Sequence, residues 1–223
     1  MRKRAAATSV LFALSLAPAQ AVVSTERSIE AADAFLAALS GLCGKAYAGR
    51  IVANEPAAAP GAPPDPFEGK ALVMHVRECT PQQVRVPFHV GDDHSRTWVI
   101  TRTTDGLRLK HDHRHEDGTP DVLTMYGGDT TTPGTAVRQE FPVDAESRAL
   151  FERQGLKASM TNVWALELEP GRRYVYELAR PGRLFRVEFD LTRPVAEPPP
   201  PWGSTTAPGT GAGTLSQSAI SRS

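Results

Sequence analysis

The stretch ALVMHVRECTPQQVRVPFHV, residues 71–90, changes character at almost every position. Leu72, Met74 and Val76 alternate with Val73, His75 and Arg77. After a short polar break, Val84, Val86, Phe88 and Val90 alternate with Arg85, Pro87 and His89. Successive side chains of an extended chain point to opposite faces, so a period of two predicts strands with one face turned to a core.

The same pattern recurs along the chain. Trp98-Val99-Ile100, then 106–115, 122–126, 135–141, 162–168, 173–179 and 184–190 read as strands, and a short strand at 46–53 brings the total to about ten. Asp117-Gly118, Pro170-Gly171 and Pro181-Gly182 are tight-turn signals between alternating runs. A helix capped by Ser24 precedes the strands, with Ile29, Ala32, Phe35, Leu36, Leu39, Leu42 and Cys43 along one face. A second, short helix is capped by Asp144 and stopped by Gly155. Short turns join antiparallel neighbours, and nothing alternates strand with helix, which excludes a doubly wound sheet. The expected fold is mainly β, an antiparallel meander barrel with an N-terminal helix and one inserted helix; a β-sandwich is the alternative.

Composition divides the chain. Residues 1–21 read as a signal peptide: Arg2, Lys3 and Arg4 form a positive start, Ala5 to Ala17 is a short apolar run, and Ala19-Gln20-Ala21 offers small residues for cleavage after Ala21. Pro18 and Gln20 leave the run too short for a membrane anchor, which needs about 20 apolar residues. No cysteine follows the cleavage site to carry lipid, and no convincing twin-arginine pattern is present. The leader is of the Sec type, and the protein is expected to be periplasmic or secreted. Residues 22–193 form one β-barrel domain, interrupted by an exposed Pro/Ala-rich loop at 55–66. Residues 194–223, rich first in proline and then in Gly, Ser and Thr, read as a disordered tail.

Charge excludes some partners. Removing the leader leaves 22 basic against 25 acidic residues, a net charge of −3. Nothing in that balance attracts nucleic acid or an anionic membrane surface. The 20 arginines, against five lysines, are scattered rather than gathered. Cys43 and Cys79, an even pair in an exported chain, are expected to form a disulfide. Two buried thiols are the alternative, and a zinc site lacks a C-x-x-C partner.

The richest local chemistry is LKHDHRHEDGTPD, residues 109–121. On a strand, His111, His113 and His115 share a face with Leu107 and Leu109, while Lys110, Asp112 and Arg114 take the other. Same-face neighbours stand close enough for two imidazoles to share one metal ion. Gly106, His111, His113 and Glu116 approach the cupin pattern, so one divalent transition metal held by His111, His113, His115 and Glu116 is the alternative cofactor reading. Two gaps are each a residue short, and no histidine follows His115 to complete the set. No cofactor is therefore expected. A solvated hairpin tip explains the same residues more simply, with the histidines ending a core-facing row at a barrel mouth. If the turn pairs His115 with Asp121, that row continues through Leu123 and Met125; a slip by one residue substitutes Val122, Thr124 and Tyr126. Such a row can meet a ligand carboxylate or titrate near pH 6.

Other catalytic patterns fail. Asp93-His94-Ser95 has the residue types of a hydrolase triad, yet consecutive residues cannot fold back into a relay. There is no G-x-S-x-G, phosphate-binding glycine loop or H-E-x-x-H. Tyr126-Gly127-Gly128-Asp129 reads as a strand end followed by a turn.

The run KHDHRHEDGTPDVLTMYGGDT, with RQEFPVDAES after it, resembles a group of uncharacterised bacterial exported proteins, over about Phe67 to Trp202. The resemblance implies a periplasmic or secreted setting and, with the strand pattern, a calycin-like (lipocalin-type) barrel; it implies no activity. The lipocalin G-x-W is absent. The leading expectation is a barrel that binds a small apolar or amphipathic molecule, bordered by His111, His113, Tyr126, Trp98 and Trp164. A filled barrel serving as an interaction module, or a metal-dependent enzyme, are the other readings.

Overall fold

A computed structural model describes residues 19–57 and 65–205, with side chains described from residue 29 onward. Helix α1 (Ala19–Ser40) leads into β1 (Ala46–Glu55), β2 (Leu72–His75), the two-residue β3 (Glu78–Cys79), β4 (Gln83–Val90), β5 (Asp93–Arg102) and β6 (Leu107–His113). β7 (Tyr126–Asp129), β8 (Arg138–Pro142), helix α2 (Ala145–Arg153), a 3-10 turn (Lys157–Thr161), β9 (Val163–Glu169), β10 (Arg173–Arg180) and β11 (Arg183–Val195) complete the chain order.

Every described strand pairing is antiparallel, and the sheet order β7-β6-β5-β4-β2-β1-β11-β10-β9-β8 is a meander that returns on itself. β3 stands off this path and pairs only with β4. One sheet curls round almost completely, which excludes the sandwich. The residual seam lies between β7 and β8, where Asp144 N–H donates to Gly127 O at 3.0 Å. A Cβ on Gly127 would meet Leu109 O at 1.9 Å, and one on Gly128 would meet Pro142 O at 1.8 Å. Gly127-Gly128 is therefore strand, not the expected turn, because only glycine lets backbone approach this closely on both sides.

The alternating residues fill the interior as their period predicts. Met74, Val86, Phe88, Trp98, Ile100, Leu166, Val187 and Phe189 are among the buried core residues. Gly171 and Gly182 turn the last two hairpins with φ of 69° and 73°. Helix α1 touches β4 and β5 on one side of the ring and β8 and β9 on the other, so it stoppers one end of the barrel with Phe35, Leu36 and Leu39. It runs continuously through Ser24, which is an interior helical position and not the cap. Cys43, just past the helix, is bonded to Cys79 of β3, with Cα atoms 6.3 Å apart.

Asp144 caps α2, its side chain accepting from Ser147 N–H, and Gly155 ends the helix region with φ of 71°. The strand expected at 122–126 lies instead at 126–129. Residues 121–125 leave the ladder because the Asp121 carboxylate takes the Leu123 N–H at 2.8 Å, a local turn that competes with sheet pairing. Met125 then adopts φ of 55° to rejoin β7.

Residues 1–18 of the leader, 58–64 of the Pro/Ala-rich loop and 206–223 of the tail lie outside the described residues. The composition boundary at Pro194 falls inside β11, and the chain from 196 continues along the outer face of the barrel. There Glu197 pairs with Arg77 at 3.2 Å, and Trp202 N–H donates to His94 O at 3.0 Å. No described helix is long and apolar enough to cross a membrane. Many of the arginines form cross-strand ladders on the outer face, such as Arg138 with Glu177 at 3.0 Å and Arg186 with Glu167 at 3.1 Å.

Candidate functional site

The end of the barrel away from α1 stays open as a cavity of about 370 Å³. Trp98 on β5, His111 and His113 on β6, Tyr126 on β7 and Trp164 on β9 all border it. His111 pairs with Tyr126 in the β6–β7 ladder, the slipped register of the two considered from sequence. Its imidazole stacks on the Tyr126 ring with centroids 4.7 Å apart, and Trp164 lies 5.1 Å away.

His111 is buried rather than at a solvated tip, at 3% exposure. Its Nδ1 lies 3.1 Å from the Tyr126 carbonyl oxygen and its Nε2 2.9 Å from the Tyr176 hydroxyl. A carbonyl only accepts, so Nδ1 carries the proton and Nε2 accepts from the Tyr176 O–H. The hydrogen bonds thus run in one direction, from the Tyr176 hydroxyl through His111 to the Tyr126 backbone. The Tyr126 hydroxyl in turn sits 3.2 Å from His113 Nε2.

This setting fixes the charge state. Burial first, then the neighbouring His113, pushes His111 down to about 3. Burial and the Arg96 guanidinium push His113 down to about 4. Burial pushes the Tyr126 phenol up to about 12 and raises that of Tyr176 well above its usual value. Both histidines are neutral at physiological pH, so the expected titration near pH 6 does not arise from them. With both ring nitrogens of His111 engaged by protein, this residue offers a ligand only its ring face.

His115 and Glu116 lie apart from the cavity. Both are exposed on the turn, where His115 N–H donates to Thr119 O at 2.9 Å and Gly118 has φ of 84°. The four residues of the metal reading do not converge, and among the described residues no group of three His, Cys, Asp or Glu side chains is placed to hold a metal ion. The opposite face of β6 is also more covered than expected. Lys110 reaches the N-terminus of α2, bonding Asp144 at 2.8 Å and Glu146 at 3.0 Å, and these carboxylates hold its ammonium pKa up against burial. Asp112 is clasped by Arg85 at 2.8 Å and Arg114 at 2.9 Å, which outweigh burial and depress its carboxyl. Asp93-His94-Ser95 is no relay: the Asp93 carboxylate accepts from Ser95 N–H and Arg96, and His94 packs on His89 and Trp202 on the outer face.

Several residues that matter here were not singled out from sequence. Tyr176 stacks on Trp98 at 4.5 Å, and Phe88 stacks on the other side of Trp98 at 4.8 Å, forming a ladder of rings along one wall. Phe67 leans over the opening against Phe185 at 5.0 Å, with the Arg96 guanidinium 5.4 Å above its ring. Arg180 also borders the cavity, its Nη1 donating to Asn162 Oδ1 at 3.1 Å. Parity was the available signal. Arg96 has the inward parity of Trp98, and Arg180 that of Tyr176 and Leu178.

Chemically, the cavity has a neutral, ring-lined wall and a rim with two guanidinium groups and the Asp121 carboxylate. It presents surfaces for an apolar body and donors for a polar end. Compared with protein-family models, curated proteins and solved structures, the chain matches none.

Proposed function

We propose that this protein is an exported carrier or receptor for a small amphipathic molecule, held at the open end of a calycin-like barrel. The observation that carries the proposal is the cavity itself. A ring of ten strands stoppered by α1 leaves about 370 Å³ at the far end, within the range of small-molecule sites. Its lining joins the packed rings of Phe88, Trp98, Tyr176 and Trp164 to the less buried apolar side chains of Phe67, Leu123, Leu156 and Leu178. The leader-like residues 1–21 and the Cys43–Cys79 disulfide support export to an oxidising compartment.

Native mass spectrometry of protein purified from its own host compartment tests this reading. A discrete non-covalent adduct of a few hundred daltons, lost when Trp98 is replaced by a charged residue, is the expected result. Protein that flies only at its bare mass, and that also takes up no amphipathic probe, would overturn it in favour of an interaction module.

A further inference from the structure

Arg180 is an unusual arginine for this chain. Most described arginines meet a carboxylate, as Arg96 meets Asp93 at 2.6 Å. Arg180, partly buried at the cavity rim, has among the described residues only the neutral amide oxygen of Asn162 as a partner. A guanidinium carries five N–H donors in a planar fork, and one contact to an amide leaves that fork largely unspent. Asn162 is buried, and Ser159, whose carbonyl accepts the Asn162 N–H at 3.2 Å, borders the same part of the rim. The charged groups lining the cavity are Arg96, Arg180 and Asp121, and Asp121 makes no ion pair with either arginine. Asp93 neutralises Arg96, and Asp121 pairs with neither arginine, so among the described residues Arg180 is the cation left without a carboxylate partner on a cavity lined by neutral aromatic rings.

Resting on the binding reading above, we infer that the ligand is a small ring-bearing anion, its carboxylate or equivalent oxyanion held by the Arg180 fork and its flat body lying against the Trp98–Tyr176–Trp164 wall. A carboxylate matches the guanidinium fork with two parallel hydrogen bonds, and partial burial strengthens them relative to water. The histidines select for the body, not the charge: neutral and internally bonded, they add ring faces to the wall.

Isothermal titration of the purified protein with three matched probes tests this: 2-naphthoate, 2-naphthamide and 2-naphthylmethylamine. Naphthoate is expected to bind about tenfold or more tighter than the amide, as a charge-assisted pair implies, and the amine weakest of all. Arg180→Gln should abolish the preference, bringing naphthoate to about the affinity that the same variant shows for the amide, and continued amide binding by that variant reports an intact cavity. Arg180→Lys keeps the charge without the fork and should retain part of the preference. Equal affinity for all three probes overturns the anion inference and leaves the binding reading standing. A naphthoate preference that survives Arg180→Gln in a variant still binding the amide overturns the assignment to Arg180. If no probe binds, both readings fall.

Discussion

The Tyr176 hydroxyl on β10 donates a hydrogen bond to His111 Nε2 on β6, 2.9 Å away across the barrel interior. Because the other ring nitrogen is committed to the Tyr126 carbonyl, this bond fixes His111 as the neutral Nδ1–H tautomer. Tyr176→Phe strands a buried acceptor, and the expected cost is about 1–3 kcal/mol in urea unfolding. Nitrogen-15 chemical shifts of the wild-type imidazole should report protonation at Nδ1; a protonated Nε2 would contradict the direction of the chain.

Stability should fall as solution turns mildly acidic. His111, His113, His89 and His75 all have folded pKa values below the ordinary imidazole value, in each case chiefly through burial. The unfolded chain therefore binds protons first as pH drops below about 6.5, and the folded state loses ground until its own depressed values near 4 are reached. Asp93, Asp112 and Asp144, depressed by hydrogen bonds to arginine, lysine or backbone against the opposing effect of burial, extend the loss below the usual carboxylate range. The urea midpoint at about pH 5 is expected to lie clearly below that at about pH 7.5. Equal midpoints would mean that the imidazoles reach water in the folded protein.

The seam between β7 and β8 depends on two glycines. Gly128→Ala would place a methyl 1.8 Å from Pro142 O, and neither backbone segment can yield without opening the seam. A loss of about 3 kcal/mol or more is expected, against about 1 kcal/mol for Gly171→Ala, where a positive φ is the only obstacle. Similar losses for the two variants would show that the barrel closes without help from Gly128.

The segment after β11 covers polar groups on the outer face. Arg77, at 1% exposure, meets Glu197, and the rings of His75 and His89, whose nitrogens have no hydrogen-bond partner among the described residues, lie buried beside them. A chain ending at Val195 should lose about 1–3 kcal/mol relative to one ending at Thr205, which should match the full-length protein. Equal stability of all three chains would show that the Glu197 and Trp202 contacts contribute nothing.

The architecture was legible because nine of the ten expected strands form where the alternating and apolar runs lie, and because Gly171, Gly182 and Asp144 each do a local job that residue type alone announces. Ser24 misled because a good capping residue is also tolerated inside a helix. The 122–126 strand misled because Asp121 offers its carboxylate to the backbone two residues on, a competitor that alternation does not register. The site was harder to read. His111 looked like a titrating ligand because its neutralising partner, Tyr176, lies 65 residues away and meets it only after the barrel curls. Gly127-Gly128 looked like a turn because close backbone approach leaves no trace in local pattern. The inward arginines were hidden in plain parity, since a charge at a core-facing position is easily passed over as surface.

The central claim, a ligand cavity at the open end, is tested most directly by the three indole N–H signals of the protein. Trp98 and Trp164 border the cavity, whereas Trp202 lies outside the barrel against His94. In a nitrogen-15 correlation spectrum titrated with 2-naphthoate, the signals of Trp98 and Trp164 are expected to shift together and saturate while that of Trp202 stays in place. A saturating shift confined to Trp202, or none at all, would contradict the account.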